Sequence, residues 1–276
     1  MSRLGGSVAL VTGSTQGLGE GIALRLARAG ARVVVNGRSV ERGEKVVAML
    51  RAIGAEAIFV RGDLADKRQA QELVRKAASH FGRLDILVNN AQVVPQLTEA
   101  ELAENDDHLD IALRSGLYAS LWTGQAALPF FREAGAGRIV NFASVNSVYG
   151  SRYGLAYNAA KEGIRGLTRT LANEWGRYNV TVNVVMPSGW SPSYAAFYQD
   201  DPKKADAVAG LNPMRRHGRA EEDIGSAVLG LVADTGRFIT GQSLFIDGGA
   251  NLLGLPQLHE AGTRFQQGGD HARTGQ

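Results

Sequence analysis

Short runs of apolar, largely β-branched residues alternate along the chain with longer stretches whose apolar positions recur every three to four residues. The runs are SVALVT (7–12), ARVVVN (31–36), AIFVRG (57–62), LDILVN (84–89), GRIVNFAS (137–144), NVTVNVV (179–185) and SLFID (243–247). Apolar runs without polar alternation predict strands buried on both faces. Between them, 19–30, 39–53, 66–81, 107–133 and 156–177 carry the helical period. Strands regularly separated by helices predict an α/β fold: a doubly wound parallel sheet with right-handed crossovers and helices on both faces. No linker divides the pattern and no internal repeat interrupts it, so residues 1–250 are expected to form a single domain.

Two segments break the rhythm. Residues 187–213 lie where a strand should lead promptly into a helix, and an insertion at the carboxyl end of a strand is where such sheets bind ligands. We read it as a substrate lid. The second is a polar extension, 251–276, expected to be partly disordered.

Composition narrows the classes. The 276 residues suffice for one large α/β core, and a net charge of +3 is spread along the chain without a basic run. Nucleic acid is therefore not an expected partner. The chain has no cysteine, which excludes disulfides, thiolate metal sites and cysteine nucleophiles. Its five histidines are too scattered to suggest a metal site. No long apolar segment suggests a signal peptide or membrane span, so a soluble, cytoplasmic protein is expected.

The first strand runs into T-G-S-T-Q-G-L-G (12–19), with glycines at 13, 17 and 19. Glycine there allows positive φ and close backbone approach to a pyrophosphate, while the following helix offers unpaired N–H groups. A tight turn alone would also need glycine, but this loop follows a strand and opens a helix, the context dinucleotide binding requires. Gly13, Thr15, Gln16, Gly17, Leu18 and Gly19 are the candidates. The second strand ends in Asn36-Gly37-Arg38, with no carboxylate before Glu41. An acid there would favour NAD; Arg38 favours NADP, leaving NAD as the alternative.

Further motifs follow in order: N-N-A (89–91), Ser144, Y-x-x-x-K (157–161) and a closing D-G-G (247–249). Together with the glycine loop, this set resembles the short-chain dehydrogenase/reductase family over about residues 5–250, which implies a Rossmann-like fold. The resemblance implies that Tyr157 is the acid/base, that Ser144 positions the substrate oxygen and that Lys161 holds the nicotinamide ribose. A lysine one helical turn from a tyrosine would favour the phenolate, which otherwise forms near pH 10. Asp63 and Leu64 match the adenine-contacting position, Asn90 a backbone support beside the cofactor, and Pro187 the proline after the sixth long strand. Taken singly, Tyr157 reads as an interfacial aromatic, Lys161 as a solvated helix residue, Ser144 as a helix cap and Asp63 as a turn former.

Three positions depart from the family pattern. Gln92 follows N-N-A where glycine is usual, and Gly116 stands where an asparagine would hold a water linking the lysine to solvent. Pro187-Ser188-Gly189 lacks the usual threonine nearby, with Ser191 or Ser193 as replacements. Trp190, Tyr194, Phe197 and Tyr198 cluster in the lid, and Tyr149 and Tyr153 follow Ser144. If they face the cleft, with Gln92, the substrate is a cyclic or apolar alcohol or ketone; if they pack the lid on its own domain, they say nothing about it. Arg152, Gln92 and Gln96 leave a sugar or keto acid open. The expected activity is NAD(P)-dependent interconversion of a secondary alcohol and a ketone, in a homotetramer or homodimer. The rivals are a catalytically weak nucleotide-binding or regulatory protein and a lyase or dehalogenase on the same fold.

Overall fold

A computed structural model describes residues 4–95, 99–100, 105–191, 194 and 212–252. Seven strands form one parallel sheet: β1 (Val8–Val11), β2 (Arg32–Gly37), β3 (Ala57–Arg61), β4 (Ile86–Asn89), β5 (Gly137–Phe142), β6 (Val180–Pro187) and β7 (Ser243–Ile246). Their spatial order is β3-β2-β1-β4-β5-β6-β7. The order reverses between β1 and β4, and the carboxyl ends of those two strands open a crevice there.

The apolar runs alternate faces once they pair. Ala9 and Val11 of β1 join Val33, Val35, Ile86 and Val88 in a core under α1 (Gly17–Arg28) and α2 (Val40–Ala52). That core also takes Val228 and Leu231 of α8 (Ser226–Val232). Val8 and Leu10 face the other way, with Val34, Leu87 and Ile139, against α3 (Lys67–Phe81), α5 (Ala119–Ala134) and α7 (Leu155–Trp175). Burial on both sides explains why the strands read as continuous apolar runs. Local chemistry sets helix ends: Ser39 accepts from the Arg42 N–H and Asp66 from the Gln69 N–H, while Gly82 ends α3 in the left-handed region.

The predicted helix 107–133 is divided. It comprises α4 (Asn105–Ala112), a π-helical turn at Leu113–Tyr118, and α5. Such turns place one extra residue in the helical hydrogen-bond pattern and occur frequently at functional sites. The five-residue α6 (Val145–Tyr149) and a helical segment from Ala220 into α8 are additional to the predicted elements. Much of the lid (192–193 and 195–211) and the extension beyond 252 lie outside the described residues. Among the described residues, no helix is long and apolar enough to cross a membrane, and no group of three or more His, Asp or Glu could hold a metal ion.

Candidate functional site

The glycine loop is held from both flanking strands. Asn90 donates through Nδ2 to the carbonyls of Thr12 and Gly13, at 2.9 and 3.1 Å. Thr12 Oγ1 in turn accepts from the N–H groups of Asn90 and Ala91. From β2, the Asn36 carbonyl accepts from Ser14 N–H at 2.9 Å, and Asn36 N–H donates to Ser14 Oγ at 3.1 Å. Gly13 and Gly17 both have φ of +61°, and a Cβ at Gly13 would lie 2.9 Å from Ala91 Cα. A Cβ at Gly19 would lie 2.5 Å from the Gly13 carbonyl oxygen. The loop therefore has both the conformation and the bare backbone surface that a pyrophosphate needs. Gln16 sits at the N-cap of α1 without capping it, so the first N–H groups keep their anion-binding capacity. Glu20, in the first turn, is raised above the usual carboxylate range by burial, with Lys45 opposing.

At the adenosine side the charges are positive. Arg38 is exposed just after β2, and Thr15 packs on Gly37 beside it. Arg42, one turn along α2, donates from Nη1 to Gln16 Oε1 at 2.8 Å. Two guanidiniums thus flank the loop. Sequence reasoning missed Arg42, although its place in the first turn after the Ser39 cap, four residues past Arg38, was the signal that could have found it. Asp63 uses Oδ1 to accept from Ala65 N–H at 3.1 Å, the turn-forming role, and Leu64 beside it is buried.

The chemical end is assembled by β5 and α7. Ser144 follows β5 and caps α6, accepting from Asn146 N–H at 3.2 Å, and its hydroxyl hydrogen-bonds with Tyr157. Burial pushes the Tyr157 phenol above its ordinary value of 10, and the Ser144 bond opposes the rise. Lys161 lies in the interior, 4% exposed, with Nζ donating to the Phe142 carbonyl at 2.8 Å and 5.5 Å from the Tyr157 ring centre. Burial pulls its ammonium down from 10.5 to about 7. Each group alone disfavours its charged form there, whereas a phenolate and an ammonium side by side stabilise each other. The arrangement is suited to moving one proton at the Tyr157 hydroxyl. Beneath it, Asn89 donates to Asn141, Asn141 to Thr168 and Thr123 to Asn89, a buried chain joining β4, β5, α5 and α7.

The remaining candidates separate. Gln92 is half-buried, with Nε2 donating to the Ala112 carbonyl at 3.0 Å. Tyr149 donates its hydroxyl to the Asn251 carbonyl, tying α6 to the D-G-G turn. Tyr153 is exposed, with φ of +65° and the Arg152 guanidinium over its ring. Trp190 packs against Tyr194 and His217, and it shares a cleft with Gly17 and Glu20 at the phosphate end. Of the lid aromatics, Trp190 and Tyr194 therefore pack on one another. Pro187 closes β6, and Gly189 just beyond it approaches Leu18 of α1. Ser191 accepts from Tyr194 N–H at 3.1 Å. Gln96, Ser193, Phe197 and Tyr198 lie outside the described residues.

Known proteins are similar to this chain in sequence and fold. Residues 13–251 match a family model described as enoyl-(acyl carrier protein) reductase. A Streptomyces violaceoruber protein, named as a second ketoacyl reductase of the granaticin polyketide synthase, is 41% identical over 255 residues, covering 89% of this chain and 96% of its own. A 12α-hydroxysteroid dehydrogenase from a Clostridium species is 33% identical, covering 88% and 96%. A short-chain dehydrogenase of Burkholderia cenocepacia, solved in complex with NADP, superposes with a TM-score of 0.80 at 36% identity, covering 90% of this chain and 99% of its own.

Proposed function

The chain belongs to the short-chain dehydrogenase/reductase family, and we propose that it interconverts a secondary alcohol and a ketone with Tyr157 exchanging the hydroxyl proton. Like its relatives, it is a nicotinamide-dependent oxidoreductase acting on CH–OH groups. The observation that carries the assignment is the Ser144–Tyr157 hydrogen bond with the buried Lys161 ammonium 5.5 Å from the phenol ring. The nicotinamide, when bound, delivers hydride to the carbonyl carbon or removes it from the carbinol carbon.

The chain's residues do the rest. In reduction, Tyr157 Oη donates its proton to the substrate oxygen, and the phenolate left behind is stabilised by the Ser144 hydroxyl and Lys161. A proton from solvent restores the phenol. In oxidation the same transfers run backwards. Ser144 Oγ accepts the Asn146 N–H, which leaves its own hydrogen for the reacting oxygens.

NADP is the cofactor that best suits the adenosine side, where Arg38 and Arg42 face a 2′-phosphate and no carboxylate repels it. For the substrate, Val94, Val148, Tyr153 and Leu155 are exposed apolar residues within a few positions of Gln92, Ser144 and Tyr157. They favour a cyclic or otherwise apolar ketone. A keto acid is the second reading, favoured by Arg152 stacked at that rim. A homodimer or homotetramer follows the family pattern, and light scattering in solution checks it.

The decisive experiment titrates the protein with NADPH and NADH by nicotinamide fluorescence, then screens cyclic ketones, hydroxysteroids and β-keto thioesters for turnover. Tighter NADPH binding with turnover lost in Tyr157→Phe is the expected result. Tight NADH binding indifferent to Arg38→Ala would overturn the NADP assignment, and turnover surviving in Tyr157→Phe would overturn the proton role.

A further inference from the structure

Two departures from the family pattern, Gln92 and Gly116, meet in space. A side chain at 116 would displace the Gln92 amide: its Cβ would run into Gln92 Oε1 and lie 2.7 and 2.8 Å from the amide carbon and nitrogen. Gly116 belongs to the π-helical turn, and Gln92 reaches that turn from the end of β4. Two bonds fix the approach. Gln92 Nε2 donates to the Ala112 carbonyl at 3.0 Å, and the next residue, Val93, donates its N–H to Ser115 Oγ at 3.1 Å. The Ala112 carbonyl needs a donor, so it dictates which way round the amide lies. The oxygen is thereby turned onto Gly116, where it is buried and has no hydrogen-bond partner among the described residues. A buried acceptor without a donor is destabilising, and its retention calls for an explanation.

The elements around that oxygen are those that carry Lys161. In the sheet, Asn89 pairs with Asn141, so Phe142, whose carbonyl holds Lys161 Nζ, lies across from Asn90 on the neighbouring strand. The π-helical turn packs on α7: the bare Cα of Gly163, two residues past Lys161, faces Leu117 closely enough that a Cβ would lie 2.9 Å from its Cδ2. The elements that carry the amide oxygen and the ammonium therefore adjoin: the ends of β4 and β5, the π-helical turn and α7. No opposite charge contributes to the ammonium there; burial is the whole cause of its perturbation. Charged groups also stand on the adjoining elements, Asp106 and Asp107 in the first turn of α4 among them. Glu162 on α7 holds Arg165 and Ser147, and Asp110 of α4 pairs with Arg114 of the π-helical turn. His108 lies on α4, and Tyr157 is the phenol already described.

We propose that Gln92 is a positioning residue for Lys161: seated over Gly116, its amide oxygen accepts from a water that in turn accepts from the Lys161 ammonium. Gly116 leaves the room for the amide in this position. The pair reverses the family pattern, the amide coming from the strand end and the bare backbone from the helix. The inference deepens the proposed function, since it concerns the lysine that supports Tyr157, but its test does not depend on turnover.

That test uses Gln92→Leu, which keeps bulk and removes the amide, Gln92→Gly, Gly116→Asn, and the double variant Gln92→Gly/Gly116→Asn. Lys161 is followed in the cofactor-free protein by NMR of its ¹³Cε, with melting temperature and NADPH affinity as controls for folding. Removing an acceptor disfavours the charged form, so Gln92→Leu lowers the Lys161 midpoint by about half a unit to one unit. With an active substrate, kcat falls about tenfold, its pH profile moves with the Lys161 midpoint, and NADPH affinity is unchanged. Gly116→Asn alone is the worst single variant. The double variant, which restores an amide from the opposite side, regains a midpoint near that of the wild type. An unchanged Lys161 midpoint in Gln92→Leu overturns the proposal, as does a double variant no better than the two single effects added. If the wild type turns over no ketone at all, the proposed function fails while the titration still decides the role of Gln92.

Discussion

At the phosphate end of the crevice, Asn36 and Asn90 fasten the glycine loop through three hydrogen bonds each, one of them from Asn90 N–H to Thr12 Oγ1. At the chemical end, a buried lysine bonded to the Phe142 carbonyl and a buried amide oxygen with no partner among the described residues lie on adjoining elements. The first region is closed by its own backbone before any ligand arrives. The second keeps polar capacity in reserve. The difference follows from the tasks: a pyrophosphate needs a rigid surface of N–H groups, whereas proton transfer needs groups whose charge can change. Damage at the two ends should therefore look different, in affinity and folding at one and in rate and pH response at the other.

The largest effect tests the reactive end. Tyr157→Phe removes one oxygen and leaves the ring, so turnover should fall by about three orders of magnitude. NADPH affinity and melting temperature should hold within about twofold and two degrees. A matching loss of NADPH binding would mean that the two ends are not separable. At the phosphate end, Gly13→Ala carries a Cβ toward Ala91 at a φ of +61°. The expected cost is about 2–3 kcal/mol in urea unfolding, with weakened NADPH binding and, at saturating cofactor, a kcat close to that of the wild type.

The contrast also explains what was legible in the chain. The strands, the glycine loop and the Tyr157–Lys161 spacing are signals carried within a few consecutive residues, and each lies where the pattern puts it. The π-helical turn at Leu113–Tyr118 was hidden because one extra residue in a hydrogen-bond ladder leaves the apolar spacing of 107–133 nearly intact. The five residues of α6 are too few to show a helical period. Gln92 and Gly116 each read as an isolated oddity, since only folding brings the end of β4 onto that turn. Trp190 had the composition of a substrate wall, yet its neighbours Tyr194 and His217 and its cleft with Gly17 put it over the phosphates' side. Composition singled out Trp190 and was silent about which end of the crevice it packs against.

A smaller effect sharpens the cofactor side. Arg38→Ala and Arg42→Ala should each weaken NADPH about tenfold, the value of one charge-assisted phosphate contact, and leave NADH within twofold. Gln16→Ala frees the Arg42 guanidinium from its 2.8 Å bond, so it should lose part of the same preference without removing a charge. Equal losses for both nucleotides would instead make these arginines supports of the loop.

The last test bears most directly on the reserve at the chemical end. Burial lowers the Lys161 ammonium from 10.5 in the unfolded chain to about 7. Below pH 7 both states hold the proton, and the cost of burying the charge is fully present. Between pH 7 and 10.5 the unfolded state binds a proton that the folded state has released, so folding stability rises with pH. Lys161→Met keeps an unbranched chain and has no such term. Subtracting its unfolding free energy from that of the wild type, both without cofactor, cancels the other titrations. The difference should be level below pH 7 and then climb in favour of the wild type, by at most about 1.4 kcal/mol per pH unit. A difference that stays level through pH 9 would mean that the ammonium is already compensated in the free protein. The chemical end would then be as closed as the phosphate end, and Lys161 would stay charged across the working range.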